Sequence, residues 1–219
     1  MKAIILLLLS FNLYAQNLAD CKFAFSKLGD GSGFDQVSSQ CKELISSNSA
    51  SNAKDSYSDE TIDREYTGFQ NALLTYDKKA DARYLTAGSN TLLEDVGAVF
   101  YDHAHKELYV IDTKSSRLLV FLSEVPGNVA PIRILEKDEL VGANDVAVIG
   151  DSLYILNNTT NKLLVYSRLA SVKAREDKQF LDLVQSVDIS LEAKSLEVEG
   201  GALILKDQDQ KKLSTLSLE

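Results

Sequence analysis

Both histidines of the chain stand beside a carboxylate, in Asp102-His103-Ala104-His105. Imidazoles at i and i+2 are ligand types that suit zinc, copper or iron. The segment falls between two expected strands, where a polar hairpin turn is required. No second cluster of His, Cys or paired carboxylates stands at a matching place elsewhere, so the residues themselves favour a turn over a metal site. A second candidate is Asp112, Asn157 and Asp207, which end equivalent strands in successive repeats. They read either as a ring of polar groups facing a small ligand or cation, or as caps of the turns that follow, because Asp and Asn side chains bond nearby backbone amides. The capping role is favoured. Neither a Gly-x-Ser-x-Gly elbow nor a phosphate-cradling loop is present. The expectation is a non-catalytic protein with no cofactor and no metal.

The elements that must position these residues repeat. Ser116-Arg117-Leu118-Leu119-Val120-Phe121 is answered by Asn161-Lys162-Leu163-Leu164-Val165-Tyr166, with 166 − 121 = 45 residues between the aromatic ends. The preceding strand repeats at the same offset, Leu108-Tyr109-Val110-Ile111-Asp112 against Leu153-Tyr154-Ile155-Leu156-Asn157. Weaker copies lie at Asn71 to Tyr76 and, after Ala202 to Asp207, at Lys211 to Leu216. A period of about 40–50 residues with several short strands in each reads as propeller blades. Strands are expected at Val96 to Tyr101, Glu107 to Asp112, Arg117 to Leu122 and Pro131 to Leu135. The next set is Asp145 to Ile149, Ser152 to Asn157, Lys162 to Ser167 and Lys178 to Leu183. Ser195 to Glu199, Ala202 to Lys206 and Lys212 to Leu216 follow. Tyr66 to Tyr76 contains a strand, and Asn71 to Tyr76 and Arg83 to Ala87 look like outer strands without inner partners.

These residues resemble the NHL-type six-bladed propeller family and its bacterial secreted relatives. The resemblance rests on Val99-Phe100-Tyr101-Asp102, Leu108-Tyr109-Val110-Ile111-Asp112, Leu118-Leu119-Val120-Phe121 and Gly127-Asn128-Val129-Ala130-Pro131-Ile132-Arg133, and covers roughly residues 66–219. It departs before the first strand of each blade, where the family usually has proline and glycine and this chain has Asp95-Val96-Gly97 and Asn144-Asp145-Val146. The resemblance implies a rigid ring presenting loops to a partner. Propeller enzymes of lactonase or lyase type are the alternative, together with a structural-only propeller fragment. Such enzymes use several His and acidic metal ligands converging on the central channel, and this sequence does not supply them.

The N-terminus carries Lys2, the apolar run Ala3 to Leu9 and Leu13-Tyr14-Ala15 before Gln16, the pattern of a bacterial-type secretory signal cleaved between Ala15 and Gln16. The apolar run is shorter than the roughly 20 residues a membrane-spanning helix needs, so the mature chain is expected to have no transmembrane segment. Helical spacing on both sides of Asp30-Gly31-Ser32-Gly33 predicts a hairpin over residues 16–47, with Cys21 and Cys41, the chain's only cysteines, on its facing stripes. In an oxidising compartment a disulfide is the expected outcome. Asp20 before Cys21 departs from a lipoprotein box. The polar stretch 48–60 reads as a linker. The formal charge of −9, or 22 − 32 = −10 once Lys2 is removed, disfavours nucleic acid as a partner.

The sequence therefore predicts a signal peptide over 1–15, a disulfide-linked helical hairpin over 16–47, a linker over 48–60 and a β-propeller-like domain over 61–219. The fold class expected is all-β, a partial propeller of about three four-stranded blades preceded by a short α-helical hairpin. The location expected is secreted or periplasmic, and the partner an unknown protein or small molecule. A monomeric open arc is preferred to its alternative, a homodimer in which the N-terminal strands of one chain complete the last blade of the other to give a six-bladed ring.

Overall fold

A computed structural model describes residues 54–168, 183–190 and 192–216. The signal, the helical hairpin and both cysteines lie outside the described residues. What is described is four antiparallel sheets, each a meander taken in chain order. Blade I is β1 (Asp55–Asp59), β2 (Arg64–Phe69), β3 (Ala72–Asp77) and β4 (Ala82–Ala87). Blade II is β5 (Val96–Asp102), β6 (Glu107–Asp112), β7 (Arg117–Leu122) and β8 (Arg133–Glu136). Blade III is β9 (Ala143–Ile149), β10 (Ser152–Asn157), β11 (Lys162–Ser167) and β12 (Leu183–Asp188). Blade IV has three strands, β13 (Ser195–Glu199), β14 (Ala202–Lys206) and β15 (Lys212–Leu216).

The all-β propeller is as expected, but the blade count is four and not about three. The polar stretch read as linker contributes β1 at residues 55–59, and the run Tyr66 to Tyr76 turns at Gln70–Asn71 to give two strands. These supply the inner partners of β3 and β4. The N-terminal strands are thus used inside their own blade, which removes the donor that a strand-exchanged six-bladed dimer requires.

The middle strands show why a blade stack needs continuous apolar runs. Every residue of β6 is buried, because blades pack against both of its faces. One face of blade II, with Phe100, Tyr109, Ile111, Leu118 and Val120, meets Val148, Leu153, Ile155 and Tyr166 of blade III. The opposite face, with Val99, Tyr101, Leu108, Val110 and Phe121, meets Tyr66 and Leu73 of blade I. Leu156 joins blade III to Leu205 of blade IV. The inner strands line up side by side, β1 on β5, β5 on β9 and β9 on β13.

The repeat carries through to the turns. Ser116 and Asn161, 45 residues apart, both sit in the left-handed region at φ 54° and 55°, closing the hairpins β6–β7 and β10–β11. Blade II also protects the outer edge of blade I. Gly127 donates its N–H to Leu85 O at 2.9 Å and accepts from Ala87 N–H at 3.2 Å, so the β7–β8 connection shields β4, an edge otherwise open to wrong pairing. Asn128 accepts from Asn90 N–H at 2.9 Å beside Gly88, whose φ of 117° and lack of Cβ permit that approach.

Candidate functional site

The Asp102–His105 turn closes the inner hairpin of blade II, with Lys106 taking the left-handed position at φ 56°. Asp102 Oδ1 accepts from Ala104 N–H at 3.0 Å, and Asp102 Oδ2 lies 2.8 Å from His105 Nδ1. The same Oδ2 accepts from Arg168 Nη1 at 2.6 Å, which joins blade III. Arg168 follows β11 directly and its N–H donates to Asp151 O at 2.7 Å, which aims the side chain back at blade II. Its Nη2 donates to Glu107 Oε2 at 3.2 Å. Glu107 also pairs with Arg133 and accepts from the Tyr109 hydroxyl at 2.8 Å. Asp102, Glu107 and Arg168 are 7–8% exposed, so this is a buried ion cluster across the II–III boundary.

His103 turns the other way. Its Nδ1 lies 3.1 Å from Asp59 Oδ2 and 3.3 Å from Thr61 Oγ1, both of blade I. Aspartate, histidine and a hydroxyl in one place suggest a nucleophilic relay, but a relay needs the nucleophile's hydroxyl and the orienting carboxylate on different nitrogens of the imidazole base. Here both approach Nδ1, and the Thr61 hydroxyl donates to Asp59 Oδ1 at 2.5 Å. Burial pushes the Asp59 carboxyl up, but the bonds from Thr61 and the nearby His103 outweigh it and hold the group below its ordinary value. The turn's two histidines thus face carboxylates on either side, linking blade I to II and bracing the II–III cluster.

Asp112 and Asn157 end their strands fully buried. Asp112 Oδ1 accepts from the Ser115 N–H and hydroxyl, each at 2.9 Å, and Oδ2 accepts from the N–H of Glu94 and Asp95. Asn157 donates to Glu139 O at 2.8 Å and Val141 O at 2.9 Å, and accepts from Thr159 and Thr160 N–H, both at 3.0 Å. Asp207, one residue past β14, accepts from Asp209 and Lys211 N–H at 2.9 and 2.8 Å. All three cap the turns that follow them. Asp112→Ala would leave three backbone donors without an acceptor, and a loss of about 3 kcal/mol is expected from the urea midpoint.

The residues that sequence reasoning missed lie on the inner strands. By register, Asp55, Ala98, Asp145 and Ser195 are equivalent, facing Gly68, Ile111, Leu156 and Lys206 respectively. Asp55 Oδ2 accepts from Val99 N–H at 2.7 Å, so blade I grips blade II. Asp145 Oδ2 accepts from Leu196 N–H at 2.7 Å, so blade III grips blade IV, while its Oδ1 takes Val146 N–H at 2.7 Å. The four inner strands surround a cavity of about 370 Å³, lined by both aspartates with Tyr57, Phe100, Ser195 and Glu197. Burial first, and the charge of Asp55 second, push the Asp145 carboxyl up to about 7. Burial raises Asp55 as well. Among the described residues, no group of three or more His, Cys, Asp and Glu is placed to hold a metal ion, and no helix is long and apolar enough to cross a membrane.

Solved structures with this architecture are β-propellers. The chain is similar to the β-propeller domain of Myceliophteria thermophila Cps50 (Swd1), with a TM-score of 0.54 and 11% identity over 76% of this chain and 54% of that one. It is similar also to Kluyveromyces lactis Hsv2, with a TM-score of 0.50 and 9% identity over 72% of this chain and 42% of that one. The chain thus spans about half the length of these neighbours, and at such identities the likeness speaks to the fold alone. No family model and no curated protein matches the sequence, so the NHL-type resemblance stays an expectation.

Proposed function

We propose that this protein is a secreted or periplasmic, non-catalytic interaction propeller, using a rigid stack of blades as a platform for a protein or small-molecule partner. The observation that carries the reading is the fate of the turn Asp102 to His105. Its carboxylate is buried against Arg168 of blade III, and its half-exposed imidazoles are tied through Nδ1, His103 to Asp59 and Thr61 of blade I and His105 to Asp102 beside Arg168. Groups engaged in holding blades together leave the loops and rims as the working surface, which is how a rigid scaffold serves recognition. The signal-like N-terminus supports the proposed location.

The test is recovery of the full-length product from the secreting cell under gentle conditions. The mature protein is expected to begin at Gln16, to weigh about 2 Da less than its reduced form through a Cys21–Cys41 bond, and to bring a partner with it in fixed ratio. Two free thiols and an uncleaved N-terminus would remove the proposed location. Turnover of a lactone by the purified protein, lost on metal removal, would replace the interaction reading with the enzymatic one.

A further inference from the structure

We infer that the N-terminal segment 16–53 is the end cap of the blade stack, laid with its apolar residues on the face of blade I turned away from blade II. This goes beyond the interaction reading, because it gives one end of the stack to the chain itself and removes that face from those open to a partner. Register fixes the face: Phe69 on β2, Ala72 and Leu74 on β3 and Leu85 on β4 share one side, while Tyr66 and Leu73 take the other, against blade II. Phe69, Ala72, Leu74 and Leu85 are each 5% exposed or less in a single chain, yet none belongs to the apolar clusters that join one blade to the next. Residues buried in one chain are covered by that chain. The cover therefore comes from outside the described residues, from 1–53, 169–182, 191 or 217–219. Segment 169–182 leaves and re-enters blade III, with blades I and II between it and this face. Residue 191 and residues 217–219 are too short to cover three strands. Segment 1–53 runs straight into β1, and Lys54 N–H donates to Gly68 O at 2.9 Å, so the chain reaches blade I beside Phe69.

A second and independent observation is the composition of the segment. Leu18, Phe25 and Leu28, and then Phe34, Val37 and Leu44, recur at helical spacing with polar residues between them, which is the pattern of a surface laid on a core. Each run makes roughly 17 Å of helix, against about 20 Å for the six-residue strands it would cross. The far end of the stack shows why the cover is not a second copy joined head to tail. On the face of blade IV turned away from blade III, Glu197, Glu199 and Thr215 are exposed and Lys206 pairs with Glu197. Among the described residues Ile204 is the one large apolar side chain of that face. A stack of repeats needs a polar outer face at each end. Blade IV carries its own, and blade I, with Phe69, Leu74 and Leu85 on its outer face, does not.

The reporter is Arg83, exposed on the rim of the same face with its guanidinium over the Tyr76 ring. Arg83→benzoylphenylalanine in the full-length protein, illuminated in dilute solution, is expected to give a product of one chain's mass whose cross-linked peptide lies within 16–53. Tyr84, next along β4 but on the opposite side and also exposed, is the control, and Tyr84→benzoylphenylalanine is expected to leave 16–53 untouched. A product of two chains' mass would make the cover a second copy, and a heavier product formed only in the secreting cell would make it a foreign partner. Either result, or cross-links confined to residues after 54, would overturn the proposal. Amide exchange gives a second readout. In the variant Phe25→Gln with Val37→Gln, exchange at Leu74 and Leu85 is expected to quicken at least tenfold while that at Ile155 in β10 holds. Unchanged rates in blade I, or equal quickening in β10, would also overturn it. If that variant does not fold, the cross-link carries the test.

Discussion

Asparagine in place of Asp145 is expected to make the protein more stable at pH 8 and to flatten its dependence on pH. The ordinary value of the group is 3.8 and the fold raises it to about 7, because burial disfavours the charged form and Asp55 adds like charge. An acid raised on folding binds its proton more tightly in the native state. Its contribution is fully present near pH 4, is lost as pH rises from about 4 to 7, and stays lost above that. The shift of roughly 3 units sets a ceiling of about 4 kcal/mol, and water at the cavity reduces this to about 2. An asparagine oxygen still accepts from Leu196 N–H, so the grip of blade III on blade IV is kept while the charge is removed, at the loss of the bond from Val146 N–H, which lowers the expected gain to about 1 kcal/mol. Urea midpoints at pH 4, 6 and 8 decide the matter. The difference between wild type and variant isolates Asp145 from Asp59, whose depressed value acts in the opposite sense at acid pH. A variant less stable at pH 8, or one with the wild-type slope, would contradict the assignment.

Arg168→Met is expected to be the most damaging single change at the boundary between blades II and III, at about 3 kcal/mol. It leaves Asp102 and Glu107 buried with one cation fewer, and an uncompensated buried charge costs more than the intact pair contributes. Asp102 keeps His105 and Glu107 keeps Arg133 and the Tyr109 hydroxyl, which places the loss at the lower end of the range for such pairs. The double variant Arg168→Met with Asp102→Asn is expected to recover about half, since neutralising the orphaned carboxylate removes part of the penalty. Denaturant unfolding measures both. A loss below about 1 kcal/mol, or strict additivity in the pair, would mean that the cluster is slack and that the blades are held by their apolar faces alone.

The 45-residue period, the hairpins at Ser116 and Asn161, and the middle strands around Leu108 to Asp112 and Leu153 to Asn157 were determined by the sequence alone. A strand covered on both faces needs an unbroken apolar run, and that run is visible without any neighbour. The capping roles of Asp112, Asn157 and Asp207 were legible for the same reason, as each acts within its own turn or the loop beside it. Edge strands were not. β12, at Leu183–Asp188, is almost wholly exposed, and its side chains answer to no core; the expected strand Lys178 to Leu183 lies, but for Leu183, outside the described residues. β1, with Tyr57 as its one large apolar residue, passed for linker, and the fourth blade was lost with it.

The partners of the chemistry-bearing groups were decided only by the tertiary structure. His103 meets a carboxylate 44 residues away, and Asp102 meets an arginine 66 residues away. The equivalence of Ala98 and Asp145 was hidden by an offset of 145 − 98 = 47, because the inner hairpin of blade II spans residues 103–106 and that of blade III only 150–151. A repeat reports which segments are alike. Which side chains meet depends on how far each blade turns about the common axis, and that follows from the packing of whole faces between blades, which no local pattern encodes.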